Sequence, residues 1–564
     1  MSKIFKTRLD LFLSGFFVRL MRQRTGFYLV GPKAFTQSAR VMRKQCFLLG
    51  FLLLLFTGLT LANEPDVSPK PEEKEGKPKT FFTELDENLN ETFKPVSEFV
   101  DDTVFYSVEV TQDDKGAPIK MPLVLVWLGT AAIVLTIYFK FINFRSWRLA
   151  MRTVRGRYSK DTDPGEVTHF QALSAAVSGT VGLGNIAGVA IAISLGGPGA
   201  TFWMILMGLL GMASKFCECT LGVKYRTIVN GKVYGGPMQY LTKGLGEMGM
   251  KPLGVFLAGF FAIMCIGGSF GGGNMYQANQ ACSQLIEVSG GEGSFFDQNR
   301  WVFGVALAIL VGLVIIGGIK SIATTTAFIV PFMCGIYMLT GLIVILSNIG
   351  QLGEAFGLIF QGAFAPTAVG GGIVGVLIQG IKRAAFSNEA GIGSAPIAHS
   401  AAKTNYPASE GIVALLEPFL DTVLVCTTTA LVIIMAGTYN DPGLEGVNVT
   451  SAAFEKSISW FPYILAVAVI LFAFSTMISW SYYGLQAWAH LFGRSKQAEI
   501  IYKLIFCLFI VLGSAISVGS VINFSDGMIF AMSLPNVIAM YLLMPRVKEE
   551  YNRYLEYTDE FDSK

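Results

Sequence analysis

Between Met121 and Met544 the chain alternates apolar runs with short polar stretches. The runs average roughly 20 residues, the length a helix needs at about 1.5 Å per residue to cross a hydrocarbon core of about 30 Å. Eleven are placed at 121–143, 169–194, 199–223, 252–286, 301–318, 321–348, 372–390, 409–437, 460–488, 500–520 and 526–544. Basic residues follow every second run. Lys140, Arg145, Arg148, Arg152, Arg155 and Arg157 go with the end of the first, Lys224, Arg226 and Lys232 with the third, Lys320 with the fifth, and Lys403 with the seventh. Arg494, Lys496 and Lys503 follow the ninth, and Arg546 and Lys548 the last. Since Lys and Arg collect on the cytoplasmic side of a membrane, these loops and the tail 545–564 are expected there. The loops 287–300 and 438–459 are then extracytoplasmic.

The second run is broken. Ser178 to Val189 reads SGTVGLGNIAGV, with four glycines and an asparagine inside an otherwise apolar stretch. In hydrocarbon, unpaired backbone groups are tolerated only where they line a cavity or hold a solute, so such a break points to a binding site in secondary transporters. Setting 121–143 aside, the remaining runs divide into two sets of five, 169–348 and 372–544. An odd number of spans inverts the second half relative to the first, and the first helix of each half is often broken. The counterpart at 372–390 is interrupted as well: Ser387, Asn388, Glu389, Gly391, Gly393 and Pro396 stand where an apolar helix should continue. Close packing through small residues is the competing reading of either break alone. The expected fold is therefore an all-α polytopic membrane protein, a 5+5 inverted repeat with one extra N-terminal helix and about 11 transmembrane helices.

Composition agrees with a membrane setting, with 52% apolar and 15% charged residues in 564, among them 62 Gly and 44 Phe. The net charge of +3 says little about partners. Eight cysteines and three scattered histidines, His169, His399 and His490, match no zinc or haem ligand spacing. From Met42 the chain reads MRKQCFLLGFLLLLFTGLTLANEP, with a basic start, an apolar core and Thr60-Leu61-Ala62 as a small-residue cleavage context. Residues 42–62 thus resemble a secretory signal peptide, cleaved or kept as an anchor, preceded by an extension, 1–41, that is absent from the mature protein if Met42 is the start. Residues 63–120 read as a polar, largely extended extracytoplasmic segment.

Three long motifs carry a resemblance: GTVGLGNIAGVAIAISLGGPGATFW (179–203), VYGGPMQYL (233–241) and RAAFSNEAGIGSAPIAHSAA (383–402). They resemble the alanine or glycine:cation symporter family of bacterial sodium–amino acid carriers, over roughly 121–545. The resemblance implies a leucine-transporter-like fold, alternating access, sodium as coupling ion, alanine or glycine as cargo, and a multi-pass protein of the cell inner membrane. A monomer in the lipid bilayer is the expected functional unit, without nucleic acid. One departure is Leu183, where many family members carry Thr between two glycines.

For such a cargo each group needs its own partner. Backbone N–H groups around Gly182, Leu183, Gly184 and Asn185 suit a carboxylate at the start of a half-helix. Carbonyl ends near Ser178–Thr180 and around Ala385, Phe386, Ser387 and Asn388 suit an ammonium. Asn274 and Gln277, three apart, are expected to share a helical face toward the site, as are Gln277 and Gln280. Phe386 and Tyr276 are candidate walls. By the resemblance, Ser475 and Thr476 with carbonyls near Val177, Ser178 and Val181 form a sodium cage, a hard oxygen environment suited to that ion. Of the ionisable residues within spans, Glu389 is expected to organise the second break or to pair with Lys382 or Arg383 in gating. Asp421 is expected to pair with either base, and Glu218, beside Lys215 and Lys224, to mark the cytoplasmic interface. A transporter-like amino acid sensor and a proton-coupled carrier of another small solute are the alternatives. A channel lacks a continuous polar pore here, and an enzyme lacks a nucleophile–base pair.

Overall fold

The computed structural model describes residues 94–95, 98–112, 118–364, 372–515 and 518–564. The extension 1–41, the signal-like segment 42–62 and the first part of the polar segment lie outside the described residues. Each of the eleven predicted runs is helical. Among the described residues seven helices can cross a membrane by length and composition: Ala200–Lys224, Lys251–Val288, Gly318–Ser347, Pro407–Ala436, Phe461–Phe492, Lys496–Ala515 and Val521–Ser563. An eighth is the pair His169–Thr180 and Leu183–Gly196, bent by 56° at its break. Leu123–Tyr138 and Arg300–Ile315 are apolar but shorter, 16 residues each, which at 1.5 Å per residue is about 24 Å. Gly372–Asn388 stops at the second break after 17 residues.

Local chemistry sets the ends. Thr168 accepts the Gln171 backbone N–H and the Gln171 side chain returns the bond, a capping box that starts the first half-helix. Pro407 and Pro462 stand in the first turns of their helices, where a missing N–H costs nothing. Gly437 closes Thr427–Ala436 at φ 70°, a left-handed conformation open to glycine. The last helix continues past the expected span to Ser563 as one element, Val518–Ser563. Its end is tied down by Asp562, 2.9 Å from both Arg152 and Arg157, and by Tyr557, whose ring stacks on Tyr406 at 4.2 Å.

The described residues of the polar segment include regular structure. Residues 98–104 are helical and Ser107–Gln112 pairs antiparallel with Pro118–Pro122. Phe105 reaches the helical bundle, 5.2 Å from the Phe530 ring with the Lys382 ammonium 4.2 Å above its own.

Glycine allows the helices to close up. A Cβ at Gly380 would lie 2.6 Å from the Ala200 carbonyl oxygen and the Trp203 Cβ, whereas one at Gly259 would meet nothing within 4 Å. Overpacking of a close crossing costs about 1–3 kcal/mol. Gly380→Ala is therefore expected to lower the thermal unfolding midpoint of the purified protein, and Gly259→Ala to leave it within about 0.5 kcal/mol of wild type.

Candidate functional site

The first break is built so that its freed backbone groups meet side chains from other helices. After Thr180 the chain leaves helical geometry at Val181 and Gly182, makes a single tight turn over Leu183–Asn185, and resumes as Ala187–Gly196. The Gly182 N–H donates to Asn185 Oδ1 at 2.9 Å, and the Leu183 N–H to Gln277 Oε1 at 3.0 Å. A Cβ at Gly182 would fall 3.1 Å from that Gln277 oxygen and against the Thr476 hydroxyl, so glycine is what admits both side chains. The Ile186 carbonyl accepts from Thr450 at 3.2 Å.

The second break lies beside the first. A Cβ at Gly184 would sit 3.4 Å from the Phe386 ring and 3.5 Å from the Ser387 Cα. Asp421 joins the two: it accepts from Asn185 Nδ2 at 2.6 Å, from the Ser387 hydroxyl at 2.8 Å and from the Thr422 hydroxyl at 2.7 Å. Asn388 reaches Thr422 at 3.0 Å. Asp421 sits in Phe419–Cys426, a π-helical stretch whose wider turn is a common feature of functional sites in helices. Glu389 itself adopts φ 55°, followed by Gly391 at 82° and Gly393 at 95°, the turn that redirects the chain into Ala395–His399.

Carbonyls at the end of the first half-helix are capped from Phe461–Phe492. Thr476 Oγ1 donates to the Ser178 carbonyl at 3.0 Å, and Ser178 Oγ donates to the Ser475 carbonyl at 2.6 Å. Trp480 Nε1 bridges the breaks, donating to the Gly179 carbonyl at 3.3 Å and to Glu389 Oε1 at 3.0 Å, while Ser394 bonds the other Glu389 oxygen. Tyr276 and Phe386 meet edge to face at 5.5 Å, against the break at Gly184. Val177, Ser178, Thr180, Val181, Leu183, Asn185, Ser387, Asn388, Ser475 and Thr476 are all buried.

Several expectations are corrected. Asn274 and Gln277 do not act as one face, because Asn274 lies in the π turn Gly271–Met275 and Gln277 beyond it; Gln277 and Gln280 keep their spacing within Tyr276–Val288 but reach different partners. The extra residue rotates the remainder of the helix by about 100°. Asn274 thus donates to the Phe506 carbonyl at 2.8 Å and Gln280 accepts from the Val447 N–H at 3.2 Å, leaving Gln277 alone at the break. Lys382 and Arg383 pair with neither Glu389 nor Asp421. Both reach Asp526, Lys382 at 3.0 Å, which gives the buried Arg383 and the partly exposed Lys382 a common carboxylate. Glu218 is fully buried, accepting from Asn536 at 2.7 Å, with Lys215 turned to Glu417 at 3.0 Å and Lys224 to Glu550, so neither lysine pairs with it. The Ser475 hydroxyl turns back to its own helix, donating to the Phe472 carbonyl at 3.0 Å, so of the two hydroxyls it is that of Thr476 that bonds the first half-helix, which Ser475 meets through its carbonyl. Trp480, Thr422 and Ser394 escape sequence reasoning; an aromatic or hydroxyl in an apolar run carries no signal of its own.

Away from the breaks, a cavity of about 440 Å³ opens among the basic loops, lined by Lys232, Tyr234, Lys320, Tyr482 and Arg494. Arg494 stacks over Tyr234 at 3.7 Å.

Comparison with known proteins agrees with this setting. The model of the sodium:alanine symporter family matches residues 108–563. The chain is similar to the sodium/alanine symporter AgcS of Methanococcus maripaludis, 41% identical over 441 residues that cover 77% of this chain and 94% of that one. It is also similar to the probable sodium/glutamine symporter GlnT of Bacillus subtilis, 36% identical over 75% of this chain and 85% of that one. Among solved structures, MhsT in complex with L-phenylalanine aligns with a TM-score of 0.47 at 17% identity, covering 67% of this chain and 89% of that one.

The bridge between breaks has a measurable consequence. Asn185→Ala leaves the Gly182 N–H and Asp421 Oδ1 without their buried partner, at about 1–3 kcal/mol per abandoned group. Its unfolding midpoint should fall well below wild type, while Thr324→Ala, which removes a hydroxyl bonded to its own helix at Lys320, should not shift it.

Proposed function

The chain belongs to the sodium:alanine symporter family and is a multi-pass membrane transporter, a cation-coupled amino acid symporter rather than an enzyme; on that premise we propose that it takes up alanine or glycine with sodium by alternating access. The observation that carries the proposal is the Leu183 N–H, buried at the first break and bonded to Gln277 Oε1 at 3.0 Å. That amide oxygen marks where a substrate carboxylate oxygen would accept the same N–H, with Gly182, Gly184 and Asn185 around it. Ser387, Asn388 and the carbonyl end at Thr180 are the proposed ammonium partners. Tyr276, Phe386 and Leu183 are the proposed walls around its side chain.

Sodium is the proposed coupling ion, held between the break and Thr476 by carbonyls of Val177, Ser178 and Val181, with Ser475 joining after a rotamer change. Where Thr476 Oγ1 now donates to the Ser178 carbonyl, both oxygens would turn to the cation, since a hard ion prefers carbonyl and hydroxyl oxygen. In the proposed cycle the five-helix halves 169–348 and 372–544 move about the broken helices, and the Lys382–Arg383–Asp526 cluster, with Glu389 organising the second break, controls one entrance. The distribution of basic loops supports an outward position for that entrance and a cytoplasmic C-terminus in an inner-membrane protein. The monomer is the proposed functional unit.

In proteoliposomes, counterflow of labelled alanine should occur, and net uptake should require an inward sodium gradient; uptake indifferent to sodium would remove the symport mechanism, and binding without uptake would favour a sensor. Thr476→Ala should raise the sodium concentration for half-maximal uptake roughly tenfold, equivalent to about 1.4 kcal/mol, while leaving alanine binding at saturating sodium little changed.

A further inference from the structure

One group of buried charges takes no part in the proposed solute site. Glu410, on Pro407–Ala414, is bonded by two imidazoles through their Nδ1 atoms, His169 at the start of the first half-helix and His399 at the end of Ala395–His399, the latter at 2.5 Å. On its other side His399 Nε2 faces Glu417 Oε2 at 3.6 Å, and Glu417 Oε1 holds Lys215 at 3.0 Å. All five side chains are within 3% of fully buried. The chain of contacts therefore binds the end-segments of both broken helices to Pro407–Ala436 and to Ala200–Lys224, at the end of the bundle where Arg226 donates to the Ser400, Ala402 and Thr404 carbonyls.

The gap between His399 Nε2 and Glu417 Oε2 is the unusual part. Among the described residues neither atom has a hydrogen-bond partner. Because each imidazole donates its Nδ1–H to Glu410, a neutral His399 turns a lone pair toward a carboxylate, two acceptors face to face in a dry interior. With both imidazoles neutral, Lys215 offsets one of the carboxylates Glu410 and Glu417, and the five groups keep one net negative charge. A single proton in the gap removes both defects: it neutralises the group and gives two orphaned atoms a shared hydrogen bond. The surroundings act in both directions. Glu218 and Cys219 on the Lys215 helix, Glu389 at the second break and Asp421 on the π-helical stretch add carboxylates and a thiol, Tyr483 and Tyr554 add neutral phenols, and Arg226 adds one cation.

We propose that His399 Nε2 and Glu417 Oε2 form a proton-binding site that latches the two broken helices at their cytoplasmic ends, so that a rise in cytoplasmic pH releases the latch and favours opening to that side. The latch rests on the transport reading above and on the cytoplasmic placement of the basic loops. Opening draws Ala395–His399 away from Pro407–Ala436, parts the two acceptors and frees the proton. No net proton transport results, since the proton leaves and returns on one side. A step that releases one proton is favoured by up to about tenfold per pH unit.

The test uses right-side-out membrane vesicles holding the full chain, with external pH and sodium gradient fixed and lumenal pH varied from about 6 to about 8, the range in which an imidazole titrates. The initial rate of labelled alanine uptake should rise with lumenal pH in wild type and be nearly flat in His399→Gln. Glu218→Gln, which changes a neighbouring buried carboxylate that also has an orphaned oxygen but is bonded to Asn536 rather than to the latch, should keep the wild-type slope. A wild-type profile in His399→Gln, or a flat one in Glu218→Gln only, overturns the proposal. Thermal unfolding of the purified protein supplies a readout independent of transport: the assembled latch binds a proton that the unfolded chain lacks above the ordinary histidine range, so the wild-type midpoint should fall as pH rises through the latch's titration. His399→Gln should fall less over the same interval; equal slopes overturn the latch even if alanine proves not to be the cargo.

Discussion

A helix broken inside a membrane must find partners for the donors and acceptors it frees, because the hydrocarbon offers none. Much of this structure answers that requirement. The Gly182 and Leu183 N–H groups go to Asn185 and Gln277, the Ser178 and Gly179 carbonyls to Thr476 and Trp480, the Ile186 carbonyl to Thr450, and the Gly391 carbonyl to Asn536. Apart from Asn185, these partners come from elements far apart in sequence, so the breaks dictate where polar residues must stand on otherwise apolar helices. A solute with a carboxylate and an ammonium offers the same kinds of group and can take over some of these bonds.

Charge follows the same rule at greater cost. An isolated ion in this interior would be strongly unfavourable, and among the described residues the buried Lys215 has Glu417 and the buried Arg383 shares Asp526 with the partly exposed Lys382. Asp421 and Glu389 instead receive hydroxyl, amide and indole donors, which lets a carboxylate stand at each break without a cation. Glycines serve this arrangement by letting side chains such as Tyr483, Thr476 and Trp480 approach the backbone at Gly179, Gly182 and Gly273.

The helices and the two breaks were legible in the sequence because hydropathy and glycine clusters are local signals. The motifs around 179–203 and 383–402 likewise led directly to the family. What stayed hidden depends on phase and on distant partners. The π turn at Gly271–Met275 has no hydropathy signature, yet it decides that Gln277 reaches the break while Asn274 turns to Phe506. Asp526 sits some 140 residues from Lys382 and Arg383, and nothing near either end announces the match. The histidines looked scattered in sequence; folding brings His169 and His399 onto one carboxylate.

The central claim is that the paired breaks form one solute site with sodium beside the first of them. A density map of the purified full chain with alanine and sodium tests it most directly. The account predicts alanine density between 182–185 and 385–388, with an ion next to the Ser178 carbonyl and Thr476. Alanine density confined to the cavity lined by Lys232, Tyr234 and Arg494, with both breaks unchanged and empty, would contradict it.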